Sequence, residues 1–253
     1  MNIYDVIILA IIEGITEFLP VSSTAHLVLA SQMLHLKQTS FLRTFEIVIQ
    51  IAPVLSIFFI YKERLIASIN IWIKLIAAFI PTGIAGLFLH EYLEELFSSS
   101  STLIWMVLTG FAFLAIERYL GKNETKRIEM EEITVKQAIS IGIFQATSLI
   151  PGISRSGTTI LGALILGLKR EAAMSFSFLL AIPTMGIATL YVLYKDIESL
   201  SFENLELIFI GFVVSFIVGY IAVKTFLAIV SRFNFTPFGY YLIASAIVMW
   251  LFL

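Results

Sequence analysis

Apolar residues run along this chain in long blocks, and the polar residues that interrupt them divide the blocks into two kinds. Residues 45–61, 71–89, 103–116, 172–194, 207–223 and 238–252 are near-continuous apolar runs closed by charged or turn-forming residues. Each approaches the roughly 20 residues that a helix needs to cross a bilayer, so six full spans are predicted. The first carries Glu46 and Gln50 near its start and is closed by Lys62-Glu63-Arg64. The second contains Pro81, Gly83 and Gly86, which mark a kink or a close helix contact. Two further blocks are broken in the middle. Residues 6–12 begin a helix that meets Glu13-Gly14-Ile15-Thr16-Glu17-Phe18-Leu19-Pro20-Val21-Ser22-Ser23-Thr24-Ala25-His26, and a second short helix follows over about 25–36. Residues 138–150 meet Pro151-Gly152-Ile153-Ser154-Arg155-Ser156-Gly157-Thr158-Thr159, and residues 160–168 follow without a polar side chain. No half of either block is long enough to span, so each predicts a re-entrant hairpin of two half-helices meeting at Pro20 or Pro151.

The two broken blocks are related. Pro20 and Pro151 stand 131 positions apart (151 − 20 = 131), as do Phe45 and Phe176, and the same offset places Ser23 on Ser154 and Glu17 on Ser148. Each half is then one broken hairpin followed by three spans, and an odd number of spans per half gives an inverted repeat. This is one integral-membrane domain: a first repeat over about 1–120, a polar loop over 117–136, and a second repeat over about 136–253. The loop carries Arg118, Lys122, Lys126, Arg127 and Lys136 against Glu117, Glu124, Glu129, Glu131 and Glu132, and this near balance reads as a solvated connection. Residues 90–101 read as an acidic, serine-rich loop, and residues 195–206 as a second acidic loop with Asp196, Glu198, Glu203 and Glu206. Lys62, Arg64, Lys74, Lys169, Arg170, Lys224 and Arg232 gather on the opposite side, which is predicted to be cytoplasmic. Both termini then lie outside.

Composition agrees. The 253 residues are 59% hydrophobic and 13% charged, with a mean hydropathy of +0.97, against the roughly 25% charge of soluble domains. The fold class is an all-α polytopic membrane protein. A formal net charge of −2 gives no hint of a nucleic-acid partner, and zero cysteines exclude thiol catalysis, disulfides and a cysteine zinc site. No cleavable signal-peptide pattern is expected, since Met1-Asn2-Ile3-Tyr4-Asp5 lacks a basic start.

The chemistry gathers at the two breaks. Pro151 and Gly152 are expected to end the incoming helix, and Ser154, Ser156 and the threonines to cap the one that restarts. A helix N-terminus and the Arg155 guanidinium then face the break, which suits an anion, most simply phosphate; a structural kink is the alternative. Glu13 and Glu17, four apart, share a helix face, and two carboxylates so close in an apolar setting must share a proton or a cation. A hard divalent ion such as Mg²⁺ or Ca²⁺ fits them and leaves positions open for phosphate. His26 stands three residues beyond Ser23, so a Ser–His nucleophile pair is one reading; a helix cap at Ser22-Ser23-Thr24 is the other. Glu46 is left without a role, as are His35 and His90.

These motifs carry a resemblance. The segments 13–26 and 151–159 resemble the two signature motifs of the undecaprenyl-diphosphate phosphatase family (BacA or UppP type), and Thr44-Phe45-Glu46-Ile47-Val48-Ile49-Gln50 resembles a third. The likeness covers essentially the whole chain. It implies a hydrolase that removes the terminal phosphate of a C55 polyprenyl diphosphate, recycling the cell-wall lipid carrier and linked to bacitracin resistance. It also implies a divalent cation and a multi-pass protein of the bacterial inner membrane, with its active site toward the periplasm or exterior. By position, Glu13 and Glu17 match the family's acidic pair, Ser23 and His26 its serine and histidine, and Ser154, Arg155 and Thr159 the functional residues of its second motif. The expected catalytic residues are Glu13, Glu17, Ser23, His26 and Arg155, the expected metal-holding pair is Glu13 and Glu17, and the expected phosphate-binding set is Ser22, Ser154, Arg155, Ser156 and Thr159. Ala25 departs from the glycine common before the histidine, which puts the direction of His26 in question. Attack by Ser23 and attack by water both stay open, as do monomer and homodimer. The rival class is a transporter, because broken helices meeting within an inverted repeat also bind transported anions.

Overall fold

The computed structural model describes residues 1–94, 99–121, 128–195, 202–230 and 234–252; Lys122, Glu124, Lys126, Arg127, Asp196, Glu198 and Arg232 lie outside them. The chain forms α1 (Ile3–Thr16), α2 (Ser23–Met33), α3 (Ser40–Ala67), α4 (Ile69–Glu94), α5 (Ser99–Leu120), α6 (Val135–Ala146), α7 (Arg155–Ile165), α8 (Arg170–Lys195), α9 (Phe202–Val230) and α10 (Thr236–Phe252). No named strand occurs among the described residues. Five helices are long and apolar enough to cross a membrane, over Ser40–Ala67, Ile69–Leu89, Ser101–Leu120, Arg170–Tyr191 and Leu205–Ile229. The sixth expected span, α10, is a shorter apolar helix of 17 residues. Leu87, Phe88, Trp250 and Leu251 lie on the outer surface, while carboxylates are buried within. That inversion of a soluble protein's pattern identifies a multi-pass membrane protein.

The helices run past the apolar runs that mark them. Asn2 starts α1 before residue 6, accepting from the Tyr4 and Asp5 amides while the Asp5 carboxylate takes the Asn2 N–H. Residues 90–94 are helical instead of looped, so any link between α4 and α5 falls in the undescribed stretch. Charged side chains at a helix end stop an apolar count without stopping the helix, because its hydrogen bonds are internal. The 131 offset holds for the elements themselves: added to the starts of α1, α2 and α3 it gives 134, 154 and 171, each one residue from the starts of α6, α7 and α8. Packing follows the same exchange. α1 lies against α9 as α6 lies against α4, while α3 with α8 and α5 with α10 each pair across the halves.

The α4–α6 contact is close. A Cβ on Gly142 would come within 2.0 Å of the Ala78 carbonyl oxygen, so only glycine fits. Beside it Gln145, the one strongly polar residue of its run, is fully buried. Its amide donates to Thr82 Oγ1 (2.9 Å) and Thr184 Oγ1 (3.1 Å), tying α4, α6 and α8 together. A satisfied buried network of this kind fixes helix register.

In the polar connection between the halves Arg118, Glu129, Glu131, Glu132 and Lys136 are exposed, as expected of a solvated loop, and Glu117 departs from that expectation. Glu117 is 7% exposed; its carboxylate holds the Arg170 guanidinium through both oxygens and takes the Phe235 N–H at 3.0 Å. The Arg170 guanidinium also lies over the Phe235 ring. This clamp joins the end of α5, the start of α8 and the entry to α10. Lys74, one of the basic residues assigned to the cytoplasmic side, is buried and donates to the Glu131 carbonyl at 2.8 Å. Lys169 bonds Glu129 at the surface. The hydrogen bond and charge of Glu129 raise the Lys169 pKa above the usual lysine value, so on the alkaline side the lysine keeps its half of this link until the pH passes that raised value.

Glu117→Ala leaves Arg170 without its partner and is expected to destabilise the protein by roughly 3 kcal/mol. Thermal unfolding in detergent should show a drop of several degrees. Glu129→Ala, which removes the exposed pair and one cap of the short turn at Met130–Glu132, should lower the midpoint far less than Glu117→Ala does.

Candidate active site

Two helix breaks meet inside the protein. The first runs from the end of α1 through Phe18 and Pro20 to α2, and the second from the end of α6 to α7. α6 stops at Ala146, before Pro151, and a 3-10 turn over Thr147–Leu149 leads into the break; the residue preceding a proline is pushed out of helical geometry, so the helix closes early. Ser154 caps α7, its Oγ accepting from the Gly157 N–H at 3.1 Å. Ser156 Oγ donates to the Leu19 carbonyl at 3.0 Å, a direct bond from one tip to the other. The Phe18 ring stands edge-on to Phe178 at 5.0 Å, which seals the junction on its apolar side.

Glu17 is the centre of this junction. One carboxylate oxygen accepts the Arg155 guanidinium at 2.6 Å, and the other accepts the Ser23 hydroxyl at 2.8 Å. Arg155 also lies over the Phe18 ring, 5.4 Å from its centroid, and donates to the Ser177 carbonyl at 3.3 Å. Its Nε is buried without a hydrogen-bond partner. Thr159 Oγ1 donates to the Arg155 carbonyl at 2.9 Å and sits 2.5 Å from Ser177 Oγ, which braces the first turn of α7 against α8. Ser154 and Ser156 hydroxyls lie 3.2 Å apart.

Glu13 is 0% exposed, and neither of its oxygens has a hydrogen-bond partner. Glu17, Glu46 and Arg155 are within electrostatic range of it. A buried carboxylate cannot be left so without a proton or a cation. The donor set suits a hard divalent ion, which one or two carboxylates hold while phosphate oxygens complete its shell. Among the described residues no group of three His, Asp or Glu side chains is placed to hold a metal by itself.

The Ser23–His26 pair is not formed. His26 Nδ1 lies 2.9 Å from the Ser22 carbonyl and Nε2 lies 2.7 Å from the Tyr241 hydroxyl, so the acceptor beside Ser23 is Glu17. Ser22 takes a left-handed backbone, with φ of 66°, and makes no side-chain cap bond; its carbonyl serves the site more directly than its hydroxyl. Glu46, read from sequence as without a role, accepts from Ser31 at 2.8 Å and fixes α2 to α3. Sequence reasoning missed Ser177 and Tyr241. The 131 offset places Ser177 on Glu46 (177 − 131 = 46), a signal that could have found it. Nothing comparable marks Tyr241.

A family model described as bacitracin resistance protein BacA matches residues 6–248. The chain belongs to this family. It is similar to the undecaprenyl-diphosphatase of Wolinella succinogenes, 51% identical over 248 residues that cover 98% of this chain and 97% of that one. It is also similar to the undecaprenyl-diphosphatase of Persephonella marina, 45% identical over 252 residues covering 100% and 99%. For the one from Methanococcus aeolicus the identity is 40% over 252 residues, again covering 100% and 99%. Both breaks of this BacA-family chain fall inside the family match.

Gly152 is the tightest point of the second break. Its φ is +92°, and a Cβ there would lie 2.0 Å from the Thr102 carbonyl oxygen. Gly152→Ala is expected to lower stability by at least about 2 kcal/mol, measured as a lower melting temperature. Gly186→Ala, where a Cβ meets nothing within 4 Å, should leave it unchanged or slightly higher.

Proposed function

We propose that this protein hydrolyses undecaprenyl diphosphate to undecaprenyl phosphate and inorganic phosphate where the two breaks meet. The observation that carries the reading is Glu17, with the Ser23 hydroxyl on one oxygen and the Arg155 guanidinium on the other. A hydroxyl bonded to a carboxylate beside a fixed cation is an arrangement for transferring a phosphoryl group, since one group takes the proton while the other meets the developing charge.

In this reading the distal phosphate enters beside Arg155, whose unpartnered Nε–H finds an acceptor in a phosphate oxygen. The N-terminus of α7 adds the positive end of its dipole. Ser23 Oγ attacks the distal phosphorus and its proton passes to Glu17 Oε2. The bond from that phosphorus to the bridging oxygen breaks, and undecaprenyl phosphate leaves with the oxygen and its electron pair. Water then attacks the phosphoserine, the bond from phosphorus to Ser23 Oγ breaks as Glu17 returns the proton it holds to that oxygen, and inorganic phosphate leaves carrying the hydrogens of the water. Glu13 and Glu17 would hold a divalent cation, which when bound supplies charge neutralisation on the diphosphate oxygens. Ser156 and Thr159 keep the second break in place through Leu19 and Ser177.

The half-helices of 14, 11, 12 and 11 residues are about 21, 16, 18 and 16 Å long, short of a roughly 30 Å hydrocarbon core. That supports two re-entrant hairpins beside six spans, α10 included, in an inverted repeat. The basic residues near the α3–α4 and α7–α8 junctions support a reading with those ends in the cytoplasm, both termini outside and the site open toward the exterior. Recycling of a cell-wall lipid carrier, and the bacitracin resistance for which the family is described, follow from the same activity.

The test is phosphate release from undecaprenyl diphosphate by purified protein in detergent. Release is expected to require a divalent cation and to stop with EDTA. Glu17→Gln and Arg155→Ala should each lower kcat at least about 100-fold while the protein stays folded. Near-normal release from a folded Arg155→Ala protein would sink this reading.

A further inference from the structure

Tyr241 comes from α10, 215 positions along the chain from His26, yet its hydroxyl oxygen lies 2.7 Å from His26 Nε2. The two ring planes are parallel within 7°, their centroids 5.7 Å apart. The other ring nitrogen settles the direction of this bond. Nδ1 faces the Ser22 carbonyl oxygen at 2.9 Å, and a carbonyl only accepts, so Nδ1 carries the hydrogen. In the neutral ring Nε2 then offers a lone pair, and the Tyr241 O–H donates to it.

The bond spans a place that helix packing leaves open. α2 packs on α1, and α10 packs on α5; α2 and α10 are not among the closely packed pairs. Tyr241 is 46% exposed, so its hydroxyl is not needed to fill a core. The Ser22 end of the arrangement is held in a left-handed backbone conformation, which a serine adopts only when its surroundings require it. His26 is thus gripped at both nitrogens, from its own first turn and from the last helix of the other half.

We propose that Tyr241 is a positioning residue of the phosphatase site, fixing the ring plane and the Nδ1–H tautomer of His26 in the first turn of α2, beside Ser23. The inference rests on the phosphatase reading, in which the first turn of α2 lies against the diphosphate. Tyr241 acts through His26 and touches no reacting atom. Removal of the hydroxyl frees Nε2, and the imidazole then exchanges between tautomers and ring orientations.

Tyr241→Phe keeps the ring and removes only the hydroxyl. The experiment compares it with the wild type in detergent, by steady-state phosphate release and by ¹⁵N spectra of imidazole-labelled protein. The chain has three histidines, and the His26 signals are assigned by their absence in His26→Ala. The wild type is expected to show the Nδ1-protonated tautomer with a hydrogen-bonded Nε2. In Tyr241→Phe the His26 signals should move toward a mixture of tautomers, while kcat falls about three- to tenfold, as for one lost neutral hydrogen bond, and KM changes less than twofold. A kcat within twofold of wild type, or unchanged His26 signals, overturns the proposal. Wild-type protein that releases no phosphate overturns the phosphatase reading instead, and the ¹⁵N spectra then decide by themselves whether Tyr241 holds the ring.

Discussion

A guanidinium cannot sit alone among apolar helices. Arg155 is accommodated because Glu17 meets it at 2.6 Å and Phe18 covers its face, and that requirement shapes much of what surrounds it. The two breaks must approach closely enough for the pair to form, which the Ser156–Leu19 bond and the Phe18–Phe178 contact enforce. Removing water strengthens the attraction and also makes each partner's loss expensive. The diphosphate is the natural third member. Its oxygens offer Arg155 more acceptors than Glu17 alone, and they bring the charge that a cation at Glu13 would balance.

Pseudo-symmetry explains how two distant segments reach this arrangement. The halves repeat the same order of helices and exchange packing partners, so their broken hairpins are brought together by the frame itself. The chemistry departs from that symmetry. The offset that aligns Ser23 with Ser154 sets Glu17 against Ser148, Thr24 against Arg155 and Glu46 against Ser177. One half keeps the acids and the other the base, and a symmetric scaffold thereby carries complementary charge at its centre. The clamp of Glu117, Arg170 and Phe235 holds the halves together away from the site.

Much of this was legible in the sequence, and the rest was hidden for physical reasons. The breaks at Pro20 and Pro151, the 131 offset and the cluster of Glu13, Glu17, Ser23 and Arg155 follow from spacing and from the cost of burying charge. Helix ends were less legible, because Asn2 and Thr39 cap helices that apolar counting starts several residues later. The partner of Ser23 was not legible, because chain proximity points to His26 while the chain turns at Pro20 to bring Glu17 back. Glu117 looked like one charge of a solvated loop; its burial depends on Arg170, 53 positions away. Tyr241 was invisible for the same reason, since nothing local to an apolar helix says which tyrosine crosses to another element.

The central claim is that Glu17 prepares Ser23 to accept a phosphoryl group from a diphosphate held by Arg155. Its most direct test is an acid quench during turnover of undecaprenyl diphosphate labelled in the distal phosphate, followed by digestion and mass spectrometry. The account predicts label on Ser23, appearing and decaying as fast as phosphate is released. Full turnover with no label on Ser23, and a Ser23→Ala protein that keeps most of its rate, would contradict it and assign the attack to water.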